Sequence, residues 1–328
     1  MFKWQHTSWE RWKKLRERLP HAALIQGGEG WGELEFARSV GQSLLCEKPG
    51  AGGRACGSCV ACGWFALGNH PDFRLVVPES MAPEAEEGAE PGKKKSEQIR
   101  IDQIRDLADF LAVGTHRAGL RVILIYPAET MNPNTQNALL KALEEPPPAT
   151  VFLLVTTQPD RLLPTVRSRC QKLALSIPDP AQILPWLKEQ GVEHPESALA
   201  AAGGAPLGAL KGAESEEDRL AFVEGLGRLK FDPLALAESV QRVPLWDLVG
   251  WLQRWSFDLL LARTTGRVRY HLGQEKAVAE IAARCEPASI AAYLRQLAQA
   301  RGLAKHPLNP KLFVEDLLLQ YQRLTGQP

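Results

Sequence analysis

Two short stretches of this chain are apolar at every position: Val122-Ile123-Leu124-Ile125, and Val151-Phe152-Leu153-Leu154-Val155. Side chains alternate across a strand, so a strand apolar at each residue must be covered on both faces. The strand candidates built on these runs span 121–126 and 150–156, and two more span 22–26 and 72–77. Helical spacing separates them. Leu34, Ala37, Val40 or Gly41 and Leu44 share one face, as do Ile101, Ile104, Leu107 and Leu111, and then Ala138, Leu139, Ala142 and Leu143. Strand and helix signals in alternation predict an α/β domain with a parallel sheet, occupying residues 1–176.

Around that pattern the chain divides further. Residues 1–20 read as an amphipathic helix with Trp9, Trp12 and Leu15 on one face and Thr7 or Ser8 as its cap. Two loops interrupt the α/β pattern: a cysteine-rich one at 46–62, and residues 78–97, rich in Pro, Glu and Lys, which have little to bury and are expected to form a mobile surface loop. After Ile177 strand signals stop. Short helices at 180–191 and 195–212, broken at Gly203-Gly204, predict a small helical domain over 177–213. A polar stretch at 214–218 then leads into helices such as 245–262, 288–300 and 310–324, apolar on more than one side, which predict an all-helical domain over 214–328. With 23% charged residues and a net charge of +1, the chain is not built to grip DNA chiefly by neutralising phosphates. Its charged first residues have no apolar signal core, and no apolar run is long enough to span a bilayer, so the expected address is the cytoplasm.

The run at 22–26 enters a glycine-rich turn that leads into a helix, the layout of a phosphate-binding loop. The working pattern is G-x-x-x-x-G-K-[ST]; this chain has Gly27-Gly28-Glu29-Gly30-Trp31-Gly32-Glu33-Leu34. Gly27 and Gly32 are in place, but Glu33 stands at the lysine position, where it repels a triphosphate, and Leu34 offers magnesium no oxygen. A working site also needs acids after a second apolar strand. Here that strand is followed by Tyr126-Pro127, and Glu129 lies too far along. The alternative is that the glycines only make a turn.

Cys56, Cys59 and Cys62 form a C-x-x-C-x-x-C run, with Cys46 upstream. Four thiolates in a tetrahedral set make a closed structural zinc site; an iron–sulfur cluster or unligated thiols are the rivals.

The segment Asn137-Ala138-Leu139-Leu140-Lys141-Ala142-Leu143-Glu144-Glu145-Pro146-Pro147, followed by a strand and then by Ser168-Arg169-Cys170, resembles the signature of bacterial DNA polymerase III clamp-loader subunits. With the altered glycine loop and the cysteines, the resemblance is to the delta-prime family. It runs from about residue 20 to the C-terminus and is strongest from Val122 to Cys170. It implies an AAA+ P-loop-type domain carrying a zinc module, a small helical lid and an all-α collar domain that mediates oligomerisation. It also implies a non-catalytic subunit that binds no ATP and helps load the sliding clamp onto primed DNA. Arg169 would act as an arginine finger in the ATP site of a neighbouring subunit, with Ser168 and Cys170 shaping its loop. Zinc would be held by Cys46, Cys56, Cys59 and Cys62. The implied partners are the gamma/tau ATPase subunits and the delta subunit in a hetero-pentamer, and through it the clamp and primer-template DNA, with no membrane. Active relatives carry a nucleotide-sensing arginine after a Gly-Ser-Pro run; the matching stretch here, residues 203–208, has none. Two rival functions are an active AAA+ ATPase with an atypical P-loop and a zinc-dependent nucleic-acid-binding module. Against the latter, residues 46–62 hold only Lys48 and Arg54 against Glu47.

Overall fold

A computed structural model of the chain describes residues 1–82, 95–116, 119–228, 230, 232–304 and 308–326. They form two compact units, Met1–Asp179 and Pro180–Pro328.

The first unit runs α1 (His6–Arg16), β1 (Ala22–Gln26), α2 (Glu33–Leu45), α3 (Val60–Ala66), β2 (Phe73–Val76), α4 (Ile101–Arg105), α5 (Leu107–Ala112), β3 (Arg121–Ile125), α6 (Pro133–Glu144), β4 (Thr150–Thr156), α7 (Pro164–Ser168) and β5 (Gln171–Ala174). Its five-stranded sheet has the order β2-β3-β4-β1-β5 with every pairing parallel. Alternation across the strands builds two cores. Ala23, Ile25, Val122, Leu124, Leu153 and Val155 pack with Trp9, Trp12, Phe36 and Val40 on one side. Ala22, Leu24, Ile123, Ile125, Phe152 and Leu154 pack with Ile104, Leu139, Leu143 and Val166 on the other. The unbroken apolar runs are therefore strands sandwiched between helices.

Two local readings change, and a third falls largely outside the described residues. The first helix starts at His6, after a 3₁₀ turn at Lys3–Gln5, so neither Thr7 nor Ser8 caps it. Ser8 is buried and its hydroxyl accepts the N–H of Ser176 at 2.8 Å. The fifth strand, Gln171–Ala174, has a single sheet neighbour and was not among the candidates. Of the segment expected to be a mobile loop, residues 83–94 lie outside the described residues. Its flanks are tied: Glu79 accepts the N–H of Ser96 at 3.1 Å and pairs with Arg100 at 2.9 Å.

The second unit is helical: α8 (Pro180–Glu189), α9 (Pro195–Ala201), α10 (Pro206–Ala213), α11 (Glu216–Gly227), α12 (Pro233–Ser239), α13 (Leu245–Thr265), α14 (Glu275–Ala282), α15 (Pro287–Leu303) and α16 (Pro310–Thr325). Gly203 and Gly204, at φ +69° and +88°, break α9 from α10 in a conformation that favours glycine. The polar stretch at 214–218 runs into a helix. Glu216, Glu217 and Asp218 form the first turn of α11, where acids suit the helix dipole. The large core of this unit draws on α11 to α16 alone. Within it Trp255 donates to the Tyr321 hydroxyl at 2.8 Å, which donates to Leu226 O at 3.1 Å. Asp258, fully buried, accepts the backbone N–H groups of Arg269, Tyr270 and His271, and also meets His271 Nδ1, each at 2.9 Å. Burial works against the Asp258 carboxylate, but these donors hold its pKa below the ordinary value. Among the described residues no helix is long and apolar enough to cross a membrane.

Candidate functional site

The segment carrying Ser168-Arg169-Cys170 is fixed from α6. Asn132 caps that helix by accepting the N–H of Thr135 at 2.9 Å, and Pro133 opens it. Leu139 and Leu143 bury its inner face. Gln136, one turn in, is buried; its Nε2 donates to Met131 O at 2.8 Å and Arg161 O at 3.3 Å, while its Oε1 accepts the N–H of Leu163 at 2.7 Å. One amide side chain thus sets the entry to α7. Val166 and Cys170 then anchor the segment in the core, and burial pushes the Cys170 thiol up to about 11. Arg169 caps α7, with its side chain about one-third exposed (34%). Its Nη1 donates to Thr165 O at 2.9 Å and Ser168 Oγ at 3.4 Å, and its Nη2 lies 2.5 Å from Glu144 Oε1. Arg167, two residues earlier, pairs separately with Asp160 at 3.2 Å. The signature segment contains Glu144, but its spacing does not show that Glu144 meets Arg169, and Gln136 lies just outside it.

The glycine-rich turn has closed on itself. Gly32 adopts φ +84° and leads into α2, and an added Cβ there would stand 2.8 Å from both Phe2 and Gln5. Gln5 Nε2 donates to Gly32 O at 2.6 Å and Trp31 O at 3.2 Å, and Trp4 Nε1 donates to Trp31 O at 2.9 Å. The Trp31 indole lies across Gly28, 2.4 Å from where a Cβ would sit. Glu33 faces inward, not outward toward a ligand. It is 3% exposed, its Oε1 accepts the Tyr126 hydroxyl at 3.3 Å, and among the described residues its Oε2 has no hydrogen-bond partner. Burial pushes the Glu33 carboxyl above its usual value, although its own N–H, the Tyr126 hydroxyl and the Gly30 N–H favour the ionised form. Tyr126 is raised in turn by burial and by Glu33. The two residues standing where lysine and acid belong therefore touch each other. Leu34 packs against the core beside Trp31. Glu129 does not reach the turn; its Oε1 accepts the Thr157 N–H and hydroxyl at 3.0 and 2.7 Å.

Cys46, at the end of α2, meets Cys56, Cys59 and Cys62, with all four sulfurs within 4.8 Å of one another. Cys46 and Cys59 Sγ are 3.9 Å apart, close to the ~3.8 Å that a tetrahedron with metal–sulfur bonds near 2.3 Å requires, and far beyond a disulfide bond. Backbone N–H groups point at the sulfurs: Cys56 N to Cys46 Sγ at 3.2 Å, Cys59 N to Cys56 Sγ at 3.3 Å, and Cys62 N to Cys59 Sγ at 3.4 Å. The last of these caps α3. The N–H and hydroxyl of Ser58 bring the Cys56 thiol down to about 6, whereas burial pushes Cys62 up to about 12. The donor set fits a metal ion bound by four sulfurs. Helix α1 holds the loop's far side, Trp9 Nε1 donating to Gly52 O at 3.0 Å and Arg16 Nη1 to Gly53 O at 2.9 Å.

Residues 5–179 match the family model described as DNA polymerase III, delta subunit. The chain is 37% identical to the DNA polymerase III subunit delta′ of Pseudomonas aeruginosa, over 99% of this chain and 98% of that one. It is 28% identical to the Escherichia coli K12 subunit of the same name, over 92% and 89%. It is also 31% identical to the E. coli DNA polymerase III subunit tau, over 65% of this chain and 31% of that protein. Among solved structures, a gamma subunit-related protein from Thermotoga maritima aligns over 97% of this chain and 99% of its own, at 19% identity and a TM-score of 0.47. A full-length match at this identity, together with the family model over the whole sheet unit, means that the chain belongs to the delta-prime subunit family of DNA polymerase III.

Proposed function

We propose that this chain is a non-catalytic subunit of a bacterial clamp loader, which assists ATP hydrolysis in a neighbouring subunit through Arg169. The observation that carries the reading is a contrast within one domain. The glycine turn is covered by Trp31 and strapped by Trp4 and Gln5, with Glu33 turned inward onto Tyr126, while Arg169 keeps a partly exposed side chain at the end of α7. A guanidinium can bind phosphoryl oxygens bidentately and offset charge developing in the transition state, a role worth on the order of 10³- to 10⁵-fold in rate.

In this reading the partners are gamma/tau ATPase subunits and a delta subunit in a hetero-pentamer, which loads the sliding clamp onto primed DNA in the cytoplasm. Residues 177–213 form the lid and 214–328 the collar. Cys46, Cys56, Cys59 and Cys62 hold a structural zinc ion, which would pin the 46–62 loop against α1. An active ATPase is disfavoured by the inward-facing Glu33 carboxyl. A nucleic-acid-binding cysteine module is disfavoured by that loop's near-balanced charge.

The test is Arg169→Ala in the reconstituted complex with wild-type ATPase subunits. The variant should assemble normally and slow hydrolysis at one site only, by about 10³-fold or more at that site. An unchanged rate in single-site kinetics rejects the reading.

A further inference from the structure

We propose that Glu144 is the positioning residue for Arg169: it holds the guanidinium in the orientation in which a neighbouring subunit's phosphate meets it. The inference rests on the reading of Arg169 as a finger acting in trans.

Glu144 is the last residue of α6, and its Oε1 lies 2.5 Å from Arg169 Nη2. The two side chains are 47% and 34% exposed, so the pair contributes little to folding; exposed ion pairs seldom do. Its effect is on the direction of a long side chain. Arginine loses much rotamer freedom when fixed, and a finger left free must lose it during the catalytic event. Here three contacts hold the fork beforehand: Thr165 O and Ser168 Oγ on Nη1, and Glu144 on Nη2. Among the described residues nothing bonds Nε–H, and one Nη2 hydrogen also stays free, so the guanidinium can still take an anion.

A contact meant to sequester the finger would look different. The tightest carboxylate grip on a guanidinium is commonly bidentate, with both oxygens engaged. In this case one oxygen meets one nitrogen, and the other holds on the cation come from the last turn of its own helix, where carbonyl oxygens attract positive charge. The acids are also assigned one to one. Asp160 takes Arg167, which keeps that second cation from competing for Glu144.

The test uses the assembled complex with wild-type ATPase subunits and single-site ATP hydrolysis. Glu144→Gln should lower kcat at one site by roughly 5- to 20-fold, the scale of fixing one arginine side chain, with little change in KM, because the nucleotide is held by the neighbour. Glu144→Asp should recover part of the rate. Glu145→Gln, one residue on and exposed, serves as the control and should match wild type. In the Arg169→Ala background Glu144→Gln should add nothing, since it acts only through that arginine. A Glu144→Gln complex as fast as wild type or faster, or an additive loss in the double variant, overturns the inference while slowed Arg169→Ala leaves the finger reading standing. An unaffected Arg169→Ala complex overturns both.

Discussion

Replacing Glu33 by lysine, together with Leu34→Thr, restores the letter of the phosphate-loop pattern and tests whether the turn is closed for physical reasons. Glu33 is 3% exposed, and among the described residues its one side-chain hydrogen bond is from the Tyr126 hydroxyl at 3.3 Å. Lysine there loses that hydrogen bond and puts an ammonium in a buried position with no phosphate to meet it. An uncompensated charge plus a lost hydrogen bond costs on the order of 2–4 kcal/mol. In a unit the size of Met1–Asp179, each kcal/mol lowers Tm by ~2–4 °C, so the variant should melt ~5–15 °C below wild type. Magnesium ATP should not rescue it: Trp31 still lies across Gly28, Gln5 still holds Gly32, and Tyr126-Pro127 still supplies no acid. The assay is thermal unfolding of the purified chain with and without about 1 mM MgATP. A site binding ATP 100-fold more tightly than that concentration would gain ~2.7 kcal/mol, a rise of several degrees. A restored variant that melts with wild type and rises with ATP would refute the argument that these neighbours, and not the missing lysine alone, close the loop.

Two further outcomes test the metal site and the helical unit. Metal analysis of the purified chain should give about one equivalent of zinc, lost in Cys59→Ser with a matching fall in Tm; iron, or no metal at all, contradicts the four-sulfur zinc assignment. Asp258→Asn should destabilise the helical unit by about 2–4 kcal/mol at pH 7 in urea unfolding, because an amide offers one acceptor oxygen where four donors converge on a buried carboxylate. The Asp258 pKa is depressed from 3.8, so its stabilisation is present above that value and is lost as pH falls through the lower folded-state value. The difference between variant and wild type should shrink in that acid range, and a cost that does not vary with pH would show that the charge is immaterial.

What could be read from residues alone was whatever repeats locally. Strands β1, β3 and β4 declare themselves because burial on both faces makes their central residues apolar one after another, with polar residues only at the ends, and Cys56, Cys59 and Cys62 because their spacing is a few residues. Strand β5 stayed hidden because its edge position exposes Gln171, Lys172 and Ala174 and buries Leu173 alone, which is no pattern. Contacts that span the chain were hidden more completely. Glu33 and Tyr126 are 93 residues apart, so the sequence displays two departures from the phosphate-loop pattern but not that the two side chains bond to each other. Arg169 and Glu144 sit on different helices, joined only by the fold. The clearest case is the N-terminus, read as a plain amphipathic helix. A tight glycine turn still has backbone polar groups to satisfy, and buried ones must find partners in the protein. Trp4 and Gln5 supply them to the carbonyls of Trp31 and Gly32, which is why a 3₁₀ turn precedes α1 and why the helix begins before the residues expected to cap it. The glycine-rich turn and the N-terminal 3₁₀ turn are thus one packed unit, held together by Trp4 and Gln5, and it is this closure that makes the proposed role of Arg169 one exercised on a nucleotide held elsewhere.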